Sequence, residues 1–559
     1  MTNPTGLPES TPDGKARTAA LACLRFDDVT PTAVVEFVSR GRCLIVGDEA
    51  RALEAARRVG PALSCTVAVP VRALPATSSV DGIPVLRVGR PVLRGALGDF
   101  DARVDAGGGE QALGAMLPQP VDRFDLVVDL CEPPLLQQAM PPLGYYAPRD
   151  DESLDAVLAV LPDMIGEFQK PKFFDYDPDI CAHGRSGKRG CTRCIDACPA
   201  EAIVSIGERI QVNPYLCQGG GGCATACPTG AITYAYPLAA DLLGILRQAL
   251  QAFRDRGGAA PALLFYDEAS MEAVFGGLAS MPERVIPVPV EEVGSVGMDT
   301  WLAAIAYGAD AVVVATADRT PAQLVEAAQD QLVTARAILA GMGFDERCVQ
   351  LLNVGQPAAA LAAIAAMPTG PARPPAAFVA PPDKRGRLRM ALQHLHAHAP
   401  APKRSIALQK GAPFGEIRVD AHACTLCMSC VSSCPTHALQ DGRGLPQLNF
   451  REWSCVQCGL CERTCPESAI TLNPRFVYDI ELREKPRLLH EEQPLCCVSC
   501  GKPFATRSML DVLEKKLAGH WMFQTEESRR RLLMCEDCRV RDMFSGEAKK
   551  GRPGPGAGA

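Results

Sequence analysis

Two stretches of this chain repeat one cysteine spacing, C-x2-C-x2-C-x3-C-P. The first runs through Cys424, Cys427, Cys430, Cys434 and Pro435, the second through Cys455, Cys458, Cys461, Cys465 and Pro466. Thiolates packed this densely suit a cubane iron–sulfur cluster, whose corners are so close that a short loop wraps three of them. The remaining corner needs a more distant cysteine. The same theme recurs upstream in altered form. Cys181 is followed after an insertion by Cys191, Cys194, Cys198 and Pro199, and later by Cys217, Cys223, Cys227 and Pro228. Aligning the C-x3-C-P ends makes Cys181 a displaced first ligand and AHGRSGKRG, rich in glycine and basic residues, an inserted loop. In the other upstream run the usual second cysteine falls at Gly220, within Gly219 to Gly222, so this unit has seven cysteines where the pattern asks for eight.

The downstream pair of runs resembles the bacterial-type two-cluster 4Fe-4S ferredoxins, and the upstream unit reads as a second, modified copy. In that family the fourth cysteine of each run reaches across to the other cluster. The resemblance implies one 4Fe-4S cluster on Cys424, Cys427, Cys430 and Cys465, and another on Cys455, Cys458, Cys461 and Cys434. Carried upstream, it implies a 4Fe-4S cluster on Cys181, Cys191, Cys194 and Cys227, and only three thiolates, Cys217, Cys223 and Cys198, for the last site. The alternatives there are a 3Fe-4S cluster, a 4Fe-4S cluster completed by water, a carboxylate or a partner's ligand, and a site that has lost its metal. An engineered or sequencing change at Gly220 is a further alternative. The segment FFDYDPDIC (residues 173–181) and the string CAHGRSGKRGCTRCIDACP resemble large multi-cluster ferredoxins of proteobacteria associated with formate dehydrogenase loci. That resemblance implies redox protein partners, formate dehydrogenase among them.

Further on, Cys497 and Cys500 are separated by a helix-patterned segment from Cys535 and Cys538. Two C-x2-C pairs match a four-thiolate zinc site of zinc-ribbon type, with an iron–sulfur centre or redox-active thiols as alternatives. Cys496 is left over.

The elements that must position these ligands fit a chain of 559 residues with 47% hydrophobic and 22% charged residues, enough for several folded domains. A net charge of −7 gives no reason to expect nucleic acid. Without a long apolar run or a basic-then-apolar leader, the expected setting is the cytoplasm, and the 25 cysteines, grouped in metal-ligand spacings, fit a reducing compartment.

The expected fold class is α/β plus α+β, multidomain. An N-terminal α/β domain spans 1–165, with strand-like runs at 41–46, 65–69 and 124–130 and a helix at 49–59. Its turn, Gly47-Asp48-Glu49-Ala50, lacks the glycines of a dinucleotide loop, and its carboxylates would repel a pyrophosphate. The first ferredoxin-like domain spans 166–237. A second α/β domain follows at 238–366, with strand-like runs at 262–266, 284–290, 311–315 and 349–354. Its course VIPVPVEEVGSVGMDTWLAAIAYGADAVVVA resembles the small iron–sulfur subunit linking hydrogenase to heterodisulfide reductase. That subunit holds a two-iron cluster on cysteines; here only Cys348 is present, so the fold is expected without the cluster. Residues 367–410 read as a Pro-rich linker, with His394, His396 and His398 solvated near its end. The second ferredoxin domain is placed at 411–480, the zinc-ribbon-like module at 481–545 and a disordered tail at 546–559.

No nucleophile elbow, nucleotide loop or zinc-hydrolase pattern is present, and no catalytic residue is assigned. The expected function is electron relay between a dehydrogenase and a reductase. Two alternatives are a metalloenzyme assembly or regulatory factor, and a heterodisulfide-reductase-like subunit carrying a flavin.

Overall fold

The computed structural model describes residues 9–27, 29–30, 32–71, 76–105, 109–277, 280–370 and 373–550, with side chains to 544. The chain forms two compact units, Met1–Pro178 with Thr192–Pro400, and Asp179–Cys191 with Ala401–Ala559. Among the described residues, no helix is long and apolar enough to cross a membrane.

The N-terminal part of the first unit contains a six-stranded sheet. Its strands are β1 (Arg42–Val46), β2 (Ser64–Pro70), β3 (Ala76–Val80), β4 (Ile83–Val88), β5 (Leu126–Asp129) and β6 (Tyr145–Tyr146). They lie in the order β6-β5-β1-β2-β4-β3, all parallel except β3, which runs antiparallel to β4. Cys43 and Ile45 of β1 enter one apolar core and Leu44 and Val46 another, as alternation demands of a strand covered on both faces. Helix α1 (Glu49–Val59) covers one face with Ala52, Leu53, Ala56 and Val59. The Asp48 carboxylate accepts from the N–H groups of Ala50 and Arg51 at 3.1 and 3.2 Å, capping the helix. Glu49 pairs with Arg87 at 2.5 Å. Both carboxylates of the expected loop are therefore used within the fold.

A small module follows in the same unit. Strand β7 (Phe174–Tyr176) pairs antiparallel with β10 (Ile232–Tyr234), and between them lie the hairpin β8 (Ile203–Ile206) and β9 (Arg209–Val212) and the short helix α2 (Gly222–Ala226). Next comes a four-stranded parallel sheet of β11 (Ala262–Tyr266), β12 (Val285–Pro289), β13 (Ala311–Thr316) and β14 (Val349–Asn353), ordered β12-β11-β13-β14. Helix α3 (Met298–Ala306) is buried at every residue, and α4 (Ala322–Met342) ends at Gly343, whose left-handed backbone (φ 86°) closes the helix. Cys348 is buried before β14, and burial pushes its thiol up to about 11, the behaviour of a small apolar side chain.

The segment read as a Pro-rich linker departs from that reading. It contains α5 (Lys384–Ala397), which packs on α3 through Leu388, Ala391, Leu392 and Leu395. Those residues recur at helical spacing, and Asp383 caps the start by accepting from the Gly386 N–H at 2.5 Å. His394 and His398 are not simply solvated, since each holds a backbone carbonyl, that of Pro374 at 2.8 Å and that of His394 at 2.9 Å.

In the second unit, β15 (Gly415–Val419) pairs antiparallel with β18 (Ile470–Val477). The hairpin β16 (Leu439–Gly442) and β17 (Leu445–Phe450) lies between them in sequence, and β19 (Arg487–Glu491) adds to β17. Helix α6 (Leu460–Thr464) leads into Cys465. A buried ion network braces this module. Glu452, 5% exposed at its side chain, accepts from Arg475 at 2.8 Å, and Glu416 lies 2.8 Å from Arg475 and 2.7 Å from Arg487. Multiple partners offset the cost of removing these charges from water. Also in this unit, Gly184–Arg185 and Lys188–Arg189 form a tight hairpin whose turn residues, Ser186 and Gly187, have φ of 55° and 70°. The C-terminal helix α7 (Glu536–Lys550) reaches five residues into the segment expected to be disordered; the rest of that expectation lies outside the described residues.

Candidate cluster sites and a four-cysteine metal centre

In the downstream module the cysteines gather in two sets. Cys434, Cys455, Cys458 and Cys461 line one cavity with Ile417, Leu439, Phe450, Leu460 and Leu472. Burial pushes the Cys458 thiol up to about 12, with the thiols of Cys455 and Cys434 adding to it, and raises Cys461 further. Cys430, likewise pushed up to about 12 by burial, faces Cys424, Cys427 and Cys465. Each set is the crossed combination that the family resemblance implies. Cys458 and Cys461, raised by burial, would keep their protons in this apolar cavity; iron cations supply the charge that lets such thiols ionise, so the donor set fits a cluster.

Backbone geometry aims these sulfurs. Leu426 and Gln457, each two residues after the first cysteine of its run, have left-handed φ of 53° and 55°. These strained turns fold the loop back so that consecutive cysteines face one point. Hydrogen bonds to sulfur differ between the sets. Gln457 Nε2–H donates to Cys455 Sγ at 3.3 Å and to the Glu416 carbonyl at 3.0 Å, while the Ala469 N–H donates to Cys465 Sγ at 3.3 Å. Such donors stabilise a cluster's reduced, more negative state.

The upstream cysteines divide between the units. Cys198, Cys217 and Cys223 lie together in the first unit, where burial raises all three thiols and the neighbouring thiols raise Cys223 further. Lys170 Nζ donates to the Cys217 carbonyl at 2.7 Å. Cys194 and Cys227 are buried in the same unit. Cys181 and Cys191 belong to the second unit, at the two ends of the inserted hairpin. There His183, buried, shares its Nδ1 with the Cys191 carbonyl at 2.9 Å, and Arg463 of α6 donates to the carbonyls of Arg189 and Gly190. Cys191 also lies within electrostatic reach of Cys458.

Sequence reasoning missed a buried charge cluster beside Cys227. Lys384 Nζ donates to the carbonyls of Ala224 and Thr225 at the end of α2, and Arg387 holds Asp299 at 2.9 Å. Burial works against the Asp299 charge, but Lys384 and Arg387 overcome it and hold the carboxyl below its usual range. These groups line a cavity of about 230 Å³. No cysteine motif flags Lys384; its only signal is a lysine opening a helix with an apolar face.

At the C-terminal end, Sγ atoms of Cys497, Cys500, Cys535 and Cys538 all lie within 4.8 Å of one another, a four-cysteine metal site. Cys497 and Cys500 come from a knuckle whose Gly501 has φ 74°, and Cys535 and Cys538 from the start of α7. Burial opposes ionisation of Cys497, but N–H groups of Cys535, Cys500 and Ser499 outweigh it and hold the thiol down to about 6. A thiolate is therefore available to a metal near neutral pH.

Comparison with known protein families finds two matched segments. Residues 423–470 match the 4Fe-4S dicluster domain family, and residues 210–233 match the 4Fe-4S binding domain family. The chain thus contains two 4Fe-4S ferredoxin-type domains. No curated protein matches it.

Proposed function

We propose that this protein is a multi-cluster iron–sulfur electron carrier of the cytoplasm that relays electrons between a dehydrogenase and a reductase. The observation that carries this reading is the convergence of Cys434, Cys455, Cys458 and Cys461 on one cavity inside a segment matching a dicluster domain. A bound cluster supplies one-electron chemistry; the protein sets potential, distance and docking. Apolar walls exclude water from the thiolates, Gln457 and Ala469 donate to ligand sulfurs, and the Glu416–Glu452–Arg475–Arg487 network holds Cys455 in register. The contact of the inserted hairpin with α6, and the proximity of Cys191 to Cys458, support a relay in which the upstream ligand loop meets a downstream cluster. The ligand sets are those implied by the ferredoxin resemblance, including Cys181, Cys191, Cys194 and Cys227. The C-terminal centre holds zinc as a structural ion, and the two α/β sheets serve as docking platforms. Formate dehydrogenase is the proposed electron donor, on the resemblance of residues 173–199.

The test is stopped-flow reduction of the anaerobically purified chain by an artificial donor, followed by oxidation by an artificial acceptor. Rapid bleaching and recovery of the iron–sulfur absorbance is expected. A protein with full iron content that exchanges electrons only over minutes would contradict the carrier reading.

A further inference from the structure

Gly220 occupies a ligand's backbone position. In the downstream module, left-handed residues flank the second cysteine of each run: Leu426 (φ 53°) and Met428 (φ 59°) around Cys427, Gln457 (φ 55°) and Gly459 (φ 79°) around Cys458. Gly219 (φ 78°) and Gly221 (φ 75°) reproduce that pattern around Gly220. The loop therefore presents residue 220 as its counterparts present Cys427 and Cys458, without a sulfur of its own. The surrounding packing fixes the loop there. A Cβ on Gly221 would come within 2.5 Å of Ser295 backbone, and one on Gly222 within 2.6 Å of Leu324 Cδ2.

A different sulfur stands beside the vacated side-chain position. A Cβ built on Gly220 would lie 3.2 Å from Met140 Sδ, with Pro199 Cγ and Leu324 Cδ1 the next nearest atoms. The three closest neighbours are thus one thioether and two carbons, with no carboxylate among them. Met140 is half-buried, and its N–H donates to the Pro199 carbonyl at 3.2 Å, which ties it to the residue following Cys198. A thioether is a soft donor suited to iron–sulfur surroundings, and methionine's flexible stem lets its sulfur adjust by the remaining distance.

We propose that Met140 Sδ is the fourth ligand at the site of Cys198, Cys217 and Cys223, giving a four-iron cluster with one thioether corner. This rests on the cluster reading proposed above. A neutral thioether in place of a thiolate leaves the site one negative charge short, so this cluster is easier to reduce than its all-cysteine neighbours. It is the electron sink of the upstream module.

The test uses the full chain, reconstituted with isotopically enriched iron, as wild type, Met140→Leu and Met140→Cys. Mössbauer and EPR spectra are taken for each, with the spectrum of Cys223→Ala subtracted to isolate the site. Wild type should give a four-iron cluster with one distinguishable iron. Met140→Leu, close in shape, should lose that iron and show an oxidised three-iron signal, while Met140→Cys should keep four irons at a lower potential. A three-iron signal in wild type, or identical spectra for wild type and Met140→Leu, would overturn the thioether assignment and leave the cluster reading standing. Absence of iron from this site in wild type would overturn both.

Discussion

The upstream and downstream modules follow one backbone plan and part company at their ligands. In each, the outer strands pair antiparallel, β7 with β10 and β15 with β18, around a hairpin. In each run the third residue past the last cysteine is left-handed: Glu201, Gly230, His437 and Ser468, with φ of 50°, 78°, 51° and 51°. Against this common frame, the upstream module has Gly220 in place of a cysteine and a hairpin inserted before Cys191. The turns that shape a cluster loop are set by backbone conformation and packing. A ligand can therefore change or move while the loop persists, and potential can be varied without redesigning the fold.

The largest effect is expected from removing a regular ligand. Cys427→Ala should abolish the cluster of Cys424, Cys427, Cys430 and Cys465, removing roughly four irons per chain. Iron and acid-labile sulfide assays check this, and unchanged iron would refute the ligand set. Cys535→Ala should strip the C-terminal site of its single metal and expose the segment from 494 to 544 to protease, since such sites draw folding free energy on the order of 10 kcal/mol from the ion. Elemental analysis of wild type should find zinc there, and limited proteolysis should cut the variant first.

Two finer changes would each make one cysteine run more like another. Gly220→Cys restores the downstream pattern; its Cβ meets Met140 Sδ at 3.2 Å, on a flexible side chain that can give way, with Pro199 Cγ and Leu324 Cδ1 at the ordinary contact distances of 3.4 and 3.6 Å, so the new thiolate should displace the thioether. A four-iron cluster at a lower potential is expected by redox titration, and an unaltered titration would show that residue 220 does not face the cluster. Gln457→Leu copies Leu426 of the sister run and removes one N–H···S hydrogen bond. Losing about 1 kcal/mol of preference for the reduced state should lower that cluster's potential by roughly 40 mV. Protein-film voltammetry resolves such a shift.

What was legible in the sequence was whatever has a spacing rule. C-x2-C-x2-C-x3-C-P marks loops whose ligands must be close along the chain, and the structure gathers the downstream eight into two sets. Apolar runs at 262–266 and 311–315 land in β11 and β13, because strands buried on both faces read as near-continuous apolar runs. Features built by tertiary packing were not legible. Proline on both sides of α5 concealed the periodicity of Leu388, Ala391, Leu392 and Leu395, and so a packed helix looked like a linker. Lys384 reaches the end of α2 across about 160 residues of chain. Met140 carries no motif, and only folding brings its sulfur to Gly220.

Whether these cysteines hold a set of redox-active clusters is decided by an EPR-monitored redox titration of anaerobically purified protein. Several signals should appear stepwise on reduction, with the upstream Cys217 site reducing first. A folded protein that stays silent at every potential, even after cluster reconstitution, would contradict the cluster assignment.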